Sequence, residues 1–286
     1  MTAASLLFAC MGACVKAAAD RHAVGELVFW RGIVSVVVIG AWVLLTGRSL
    51  ATAHWRWHVF RDIAGVAALL AYFHAVARIP LATAITLNYT SPLFLALIIG
   101  LSLRQWPSRM LWAALLVGFA GVALVLQPTL DADAWPGALM ALGAGALASF
   151  AYLGVRRLGR AGEPEWRVVF HFSLLATVLG AVVMVSGETT AIQWVSGADG
   201  MLLLGVGLFG LAAQLCMTAA YKRGRALGTA ALSNLTIVFA SALGVLFWDE
   251  HLVPTAWAGI ALVVGACIAA TWGMAARGDR SVSADV

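Results

Sequence analysis

The strongest constraint on this chain is its division into long apolar runs separated by short polar joints. A helix needs about 20 mostly apolar residues to cross the roughly 30 Å of hydrocarbon in a bilayer at about 1.5 Å per residue. Ten runs of that kind can be counted, at 2–19, 26–46, 58–78, 80–103, 108–127, 135–155, 167–186, 200–221, 226–248 and 253–275. They are continuous rather than alternating in period two, so a lipid-spanning barrel is not the reading. With 62% hydrophobic residues, 11% charged residues and a mean hydropathy of +0.93, the chain has too little polar surface to coat a water-soluble globule of 286 residues. The expected fold is an all-α integral membrane bundle of ten spans, with no room for a soluble domain. The first run lacks a basic leader, and Lys16, Asp20 and Arg21 stand where a signal-cleavage site would be sought, so it is read as span 1.

The pI near 9.4 is an orientation signal, not a nucleic-acid footprint. Arg48, Arg56, Arg61, Arg104, Arg109, Arg156, Arg157, Arg160, Arg167, Lys222, Arg223, Arg225, Arg277 and Arg280 are read as lying in or beside the even-numbered joints and the C-terminal tail. Only Arg21 and Arg78 lie by odd-numbered joints. The positive-inside rule then puts both termini, with the tail at 276–286, in the cytoplasm of an inner-membrane protein. Asp131, Asp133, Glu188, Asp199, Asp249 and Glu250 mark the opposite face, and Trp55, Trp57, Trp106, Trp135, Trp166, Trp194 and Trp248 stand near span ends as headgroup-level anchors. Cys10, Cys14, Cys216 and Cys267 lie inside apolar runs without C-x-x-C spacing, which argues for packing and against a metal or redox site.

One short pattern is written twice. TAITLNYTSP begins at Thr83 and TAALSNLTIV at Thr229, and they share T-A-x-x-x-N-x-T. Asn88 falls in span 4 and Asn234 in span 9, an odd number of spans apart, so the second copy runs the opposite way through the membrane. That makes the expected architecture a 5+5 inverted-topology repeat, with halves at 1–127 and 135–275 and a substrate site near the midplane where they meet. Small residues recur every fourth position at Ser5, Ala9, Ala13 and Ala17 in span 1 and at Gly137, Ala141, Gly145 and Ser149 in span 6. Such stripes let helix backbones approach closely in lipid.

Span 4 with its successor, TAITLNYTSPLFLALIIG then PSRMLWAALLVGFAGVALVL, and span 9 with its successor, TAALSNLTIVFASALGVLFWDEHL then AWAGIALVVGACIA, resemble the EamA-type branch of the drug/metabolite transporter superfamily. The resemblance covers nearly the whole chain and, within the superfamily, is closest to bacterial aromatic amino-acid exporters. It implies a carrier for amino acids. It also implies an acidic residue after spans 4 and 9. Glu250 matches that position, whereas Arg104 occupies the first, which suggests a structural cap rather than a coupling group.

Polar groups at membrane depth are the default site candidates. Tyr72 and His74 in span 3, with Asn88, Tyr89 and Pro92 in span 4, form the densest polar and aromatic cluster. Tyr152, Gln214, Met217 and Asn234, with Thr236, are their counterparts in the other half; His171 reads as an interfacial histidine. Asn88 and Asn234 are as well suited to pinning helices together as to holding substrate. Pro92 frees a backbone carbonyl and supplies a hinge. Arg31 sits inside span 2, where it can meet a substrate carboxylate during passage, pair with Glu26 or cap carbonyls; it is grouped with Pro92 as a gating candidate. Lys16 is placed in an i, i+4 pair with Asp20. All thirteen acids are read as lying at span ends, in joints or in the tail, which favours a facilitative carrier; His74 is the candidate proton site.

These readings add up to a secondary transporter moving aromatic and other neutral amino acids outward by alternating access, with its cavity lined by spans 1, 3, 4, 6, 8 and 9 and with spans 5 and 10 as scaffold. No cofactor is expected, and no Walker motif is present to use ATP. The expected partners are a small-molecule amino-acid substrate, the lipid bilayer and a second copy of the chain in a homodimer, not nucleic acid. The alternatives are an exporter of other metabolites or drugs, an integral-membrane lipid-modifying enzyme, and a channel.

Overall fold

In a computed structural model the structure describes residues 1–102, 109–126, 134–186, 197–223, 233, 235–249 and 253–278. Their secondary structure is helical, with no strand among the described residues. The helices are α1 (Thr2–Ala18), α2 (Val24–Thr46), α3 (Trp55–Arg78), α4 (Leu81–Asn88), α5 (Ser91–Ser102), α6 (Arg109–Leu126), α7 (Trp135–Arg160), α8 (Glu165–Ser186), α9 (Gly197–Arg223), α10 (Leu235–Trp248) and α11 (Pro254–Gly278). Among the described residues, five segments are long and apolar enough to cross a membrane: α2, α3, α7, α8 and the Asp199–Lys222 part of α9. Asn234, Arg104 and Glu250, all singled out above, lie outside the described residues.

The surface has the inside-out character that lipid imposes. Leu44, Leu45, Met201 and Leu246 are each more than 70% exposed, whereas buried positions include many small or polar residues such as Ser5, Ala9, Ala141, Ala144 and Ser149. In a bilayer there is no hydrophobic gain from hiding leucine, so close backbone packing by small residues holds helices together. The span 6 stripe behaves this way throughout: Gly137, Ala141, Gly145 and Ser149 are all buried. In α1 the stripe holds only at Ser5 and Ala9; Ala13 and Ala17 turn partly outward, and the buried face moves to Gly12 and Val15.

Helix pairing follows a simple order. The principal partners are α3 with α7, α2 with α8, α1 with α9 and α6 with α11, while α4 lies against α7 and α10.

The fourth apolar run is not one helix. It breaks between α4 and α5 at Tyr89–Thr90, where the amide of Thr90 donates to Leu87 O at 3.2 Å and that of Leu93 to Thr90 O at 2.8 Å. Pro92 has no N–H to give to the Asn88 carbonyl four residues earlier, so the ladder loses a rung there. The neighbouring helix accommodates the break. A Cβ at Gly145 would lie 2.7 Å from Asn88 O and 3.1 Å from Leu87 O, so only glycine lets α7 approach. One turn on, Ser149 Oγ lies 3.0 Å from both the Ser91 and Gly145 carbonyl oxygens and donates to them.

Candidate functional site

A cavity of about 100 Å³ lies among α1, α2, α3, α4, α7, α8, α9 and α10. Of the residues expected to form a site, Arg31, Tyr72, Asn88, Tyr89, Tyr152, Gln214 and Met217 all line it, as does Thr236. His74 does not: its Nδ1 lies 3.2 Å from the Leu70 carbonyl of its own helix. Of Pro92, the structure describes the helix it stands in, at the start of α5. Two further spans contribute beyond those expected, α2 through Arg31 and α8 through Phe172. The principal partner of α6 is α11, and among the described residues neither contributes to the lining.

Arg31 is 1% exposed although it stands in a lipid-spanning helix. It does not pair with Glu26, whose carboxylate is 3.0 Å from His22 Nδ1. Instead Arg31 Nη2 donates to Gln214 Oε1 on α9 at 3.1 Å, joining residues from opposite ends of the sequence. Gly210 makes room for it, since a Cβ there would lie 3.1 Å from Arg31 Cγ. Its guanidinium carbon sits 4.8 Å from the centre of the Phe172 ring.

The same ring carries a second cation, one grouped above with those lying in or beside the even-numbered joints. Arg61 stands in α3, 2% exposed, with its guanidinium carbon 4.0 Å from the Phe172 centroid. Its Nη1 donates to Asp62 Oδ1 at 3.1 Å, and Asp62 is itself 5% exposed. The expectation that every acid lies at a span end or in a joint is therefore corrected at Asp62. Charges this deep persist because each guanidinium has a hydrogen-bond acceptor and an aromatic face to replace part of its hydration.

The sequence did hold a signal for Arg61. Trp55 and Trp57 stand on its N-terminal side, so the headgroup level falls before it; in addition, an adjacent Arg-Asp pair is nearly neutral and can sit in a span more cheaply than either residue alone. Phe172 had no such signal, because one phenylalanine among many does not reveal what its ring faces.

Toward the end of the bundle where α2 meets α3 and α7 meets α8, Glu163 gathers a buried polar cluster. Thr52 Oγ1 donates a short hydrogen bond to Glu163 Oε1, and Arg167 Nη1 donates to Glu163 Oε2 at 2.9 Å. Lys222 Nζ donates to the Glu163 carbonyl at 3.1 Å. His58 Nε2 lies 3.9 Å from Glu163 Oε2 and its ring packs 4.6 Å from that of His171. Burial pushes the Glu163 carboxyl upward, but the Thr52 hydroxyl and Arg167 guanidinium outweigh it and hold the group below the usual glutamate value. At the opposite end Arg21 Nη1 meets Asp199 Oδ1 at 2.9 Å, with Arg21 53% exposed, and Lys16 Nζ donates to Ile79 O at 3.1 Å.

A multi-pass helical bundle, with exposed apolar flanks and a cavity lined by buried arginine, glutamine and tyrosine, defines a membrane protein built around an internal site. The chain belongs to the EamA-like transporter family, whose sequence pattern matches residues 1–127 and 135–272. It is 31% identical to the pseudopaline exporter CntI of Pseudomonas aeruginosa, over 93% of this chain and 92% of that one. A riboflavin transporter of Brucella anthropi is 26% identical over 94% of this chain and 95% of its own. The human solute carrier family 35 member G1 is 25% identical over 88% and 72%. A solved crystal structure superposes with a TM-score of 0.67 over 94% of this chain and 96% of that one, at 21% identity, which speaks to fold alone.

Proposed function

We propose that this protein is a secondary carrier that moves a small organic metabolite outward across the inner membrane by alternating access, and that the metabolite is an amino acid or amino-acid-like compound with an apolar or aromatic body. The observation that carries this reading is the cavity itself, where Arg31 of the N-terminal part bonds Gln214 of the C-terminal part beside five aromatic side chains, Phe8, Tyr72, Tyr89, Tyr152 and Phe172. A few fixed polar groups in an otherwise apolar and aromatic wall are what a site for such a molecule requires.

The inverted 5+5 repeat belongs to the same proposal. Exchange of the two halves turns the α3–α7 pair into the α9–α1 pair and maps α2–α8 and α6–α11 onto themselves, and all four pairs are among the principal contacts. The family pattern divides at the same joint as the expected halves. Both termini are assigned to the cytoplasm from the arginine-rich joints, and the break at Tyr89–Thr90 supplies the flexible point.

The facilitative mode belongs to the same proposal: among the described residues, the one acid found within a span and close to the cavity, Asp62, has its carboxylate engaged by Arg61. A second reading is favoured by the relatives: a matched exporter and a matched transporter are named for pseudopaline and riboflavin, so another small metabolite is the alternative cargo. The test is counterflow in sealed liposomes preloaded with unlabelled tryptophan, following entry of labelled tryptophan with and without a proton gradient. Saturable entry, competed by phenylalanine and indifferent to the gradient, is the expected result. Absence of flux with every neutral amino acid would remove that substrate class and move the reading to other small metabolites.

A further inference from the structure

We infer that Arg31 and Arg61 together form a carboxylate-binding subsite, so that the molecule this cavity accepts is an organic acid with a single carboxylate, which docks between the two guanidiniums. The inference rests on the carrier reading above for its physiological meaning, but the site can be tested by binding alone.

The first ground is unspent hydrogen-bonding capacity. A guanidinium presents five N–H donors in a fixed fork. Arg31 gives Nη2 to Gln214, while its Nε and Nη1 have no hydrogen-bond partner among the described residues; Arg61 gives Nη1 to Asp62, while its Nε has none among them. Leaving a buried donor unsatisfied carries a free-energy penalty, and here it falls on two side chains that line the same cavity. An arginine kept only to tie helices together would spend its remaining donors on helix carbonyls. These do not.

The second ground is charge. Arg31 and Arg61 are both positive, and Asp62 is the acidic side chain bonded to either of them. One positive charge is left over beside the cavity, and Phe172 answers it only in part through the face of its ring. A monocarboxylate neutralises that remainder; a doubly charged phosphate monoester overshoots it. A carboxylate also matches the planar fork in a bidentate arrangement, which an ammonium or a neutral amide cannot reproduce.

The third ground is position. Tyr72, Tyr89 and Tyr152 line the same cavity as the arginines, so a ligand anchored through its carboxylate lays its body against aromatic rings. The bound acid would thus touch both halves at once, because Arg31 and Arg61 come from the N-terminal half and Phe172 and Gln214 from the C-terminal half.

The experiment measures ligand protection against thermal unfolding of the purified full chain, using matched probes: benzoate, benzamide, phenyl phosphate, tryptophan and tryptophanamide. The expected result is saturable protection by the acids, with apparent affinity at least about tenfold above that of the matched amides, the size of a lost charged hydrogen bond. Arg31→Gln and Arg61→Gln should each erase the difference between acid and amide, and Arg31→Lys should retain part of it. Where a glutamine variant fails to fold, the acid and amide comparison on the unaltered protein still decides. Equal binding of acid and amide, binding of neither, or tighter binding of phenyl phosphate each overturns the proposal. Acid-selective binding without counterflow of any probe would leave the subsite standing and sink the carrier reading instead.

Discussion

The two ends of the bundle are tied in different ways. At the Glu163 end the link between the two parts of the chain is many-sided and centres on a buried carboxylate. Thr52 bonds one carboxylate oxygen, Arg167 bonds the other, and Arg167 also reaches the Ser49 carbonyl at 2.9 Å while His171 lies 3.2 Å from that of Leu50. At the opposite end the link between Arg21 and Asp199 is an ion pair with a half-exposed arginine. Both connect the first part of the chain to the second. The difference teaches how firmly each end is tied: a buried carboxylate with several donors is expensive to strand, whereas an exposed pair exchanges readily with water.

The largest test of that contrast is Glu163→Gln. It keeps the side chain's size and removes the charge that Arg167 and Thr52 both address, so unfolding stability should fall by about 3 kcal/mol, the scale for breaking a buried pair from one side. The readout is denaturant unfolding in detergent, together with thiol labelling of Tyr152→Cys in a background lacking the four native cysteines. Labelling from the Glu163 end should rise. A loss below about 1 kcal/mol would erase the contrast.

Acid tests the same residue without mutation. The folded carboxyl of Glu163 lies below its unfolded value of about 4.3, so its contribution is fully present above that pH and is lost as the pH falls through the lower folded value. Stability measured downward from pH 6 should therefore decline in the unaltered protein, and that part of the decline should be missing from Glu163→Gln. A smaller effect is expected for Thr52→Val, which removes one hydroxyl bonded to a charged acceptor and should cost about 1–2 kcal/mol in the same unfolding measurement.

Much of the fold could be read in advance because hydrocarbon enforces one rule on every span. The apolar runs at 26–46 and 58–78 anticipate α2 and α3 to within a few residues. The run at 80–103 misled in one respect: continuous hydrophobicity carries no trace of a broken backbone, and Pro92 signalled a kink without locating the turn at Tyr89–Thr90. The candidate site was legible wherever an uncharged polar residue interrupted a span, as at Asn88, Tyr152 and Gln214. Arg61 and Asp62 were only faintly marked, by the tryptophans that precede them, for the converse reason. Near a span end a charged residue ordinarily belongs to the interface, and only the packing of α3 on α7, where Gly154 lies 3.1 Å from Arg61 Cα when given a Cβ, takes it inside. His74 erred in the other direction, since a histidine can satisfy a ring nitrogen on its own helix.

The smallest effect expected is at the opposite end, and it bears most directly on whether exposure is the variable that matters. Arg21→Ala removes the half-exposed member of the Arg21–Asp199 pair while leaving Asp199 in place, and exposed pairs of this kind contribute about 0–1 kcal/mol. The unfolding midpoint should move by less than half the shift seen with Thr52→Val, and raising the salt concentration should shrink the difference further, because an exposed pair is screened and a buried one is not. If Arg21→Ala instead matched Glu163→Gln, burial would not explain the difference between the ends, and the Arg21 contact would have to be treated as a latch in its own right. A salt-insensitive loss would make the same point, because only a contact sealed from solvent escapes screening.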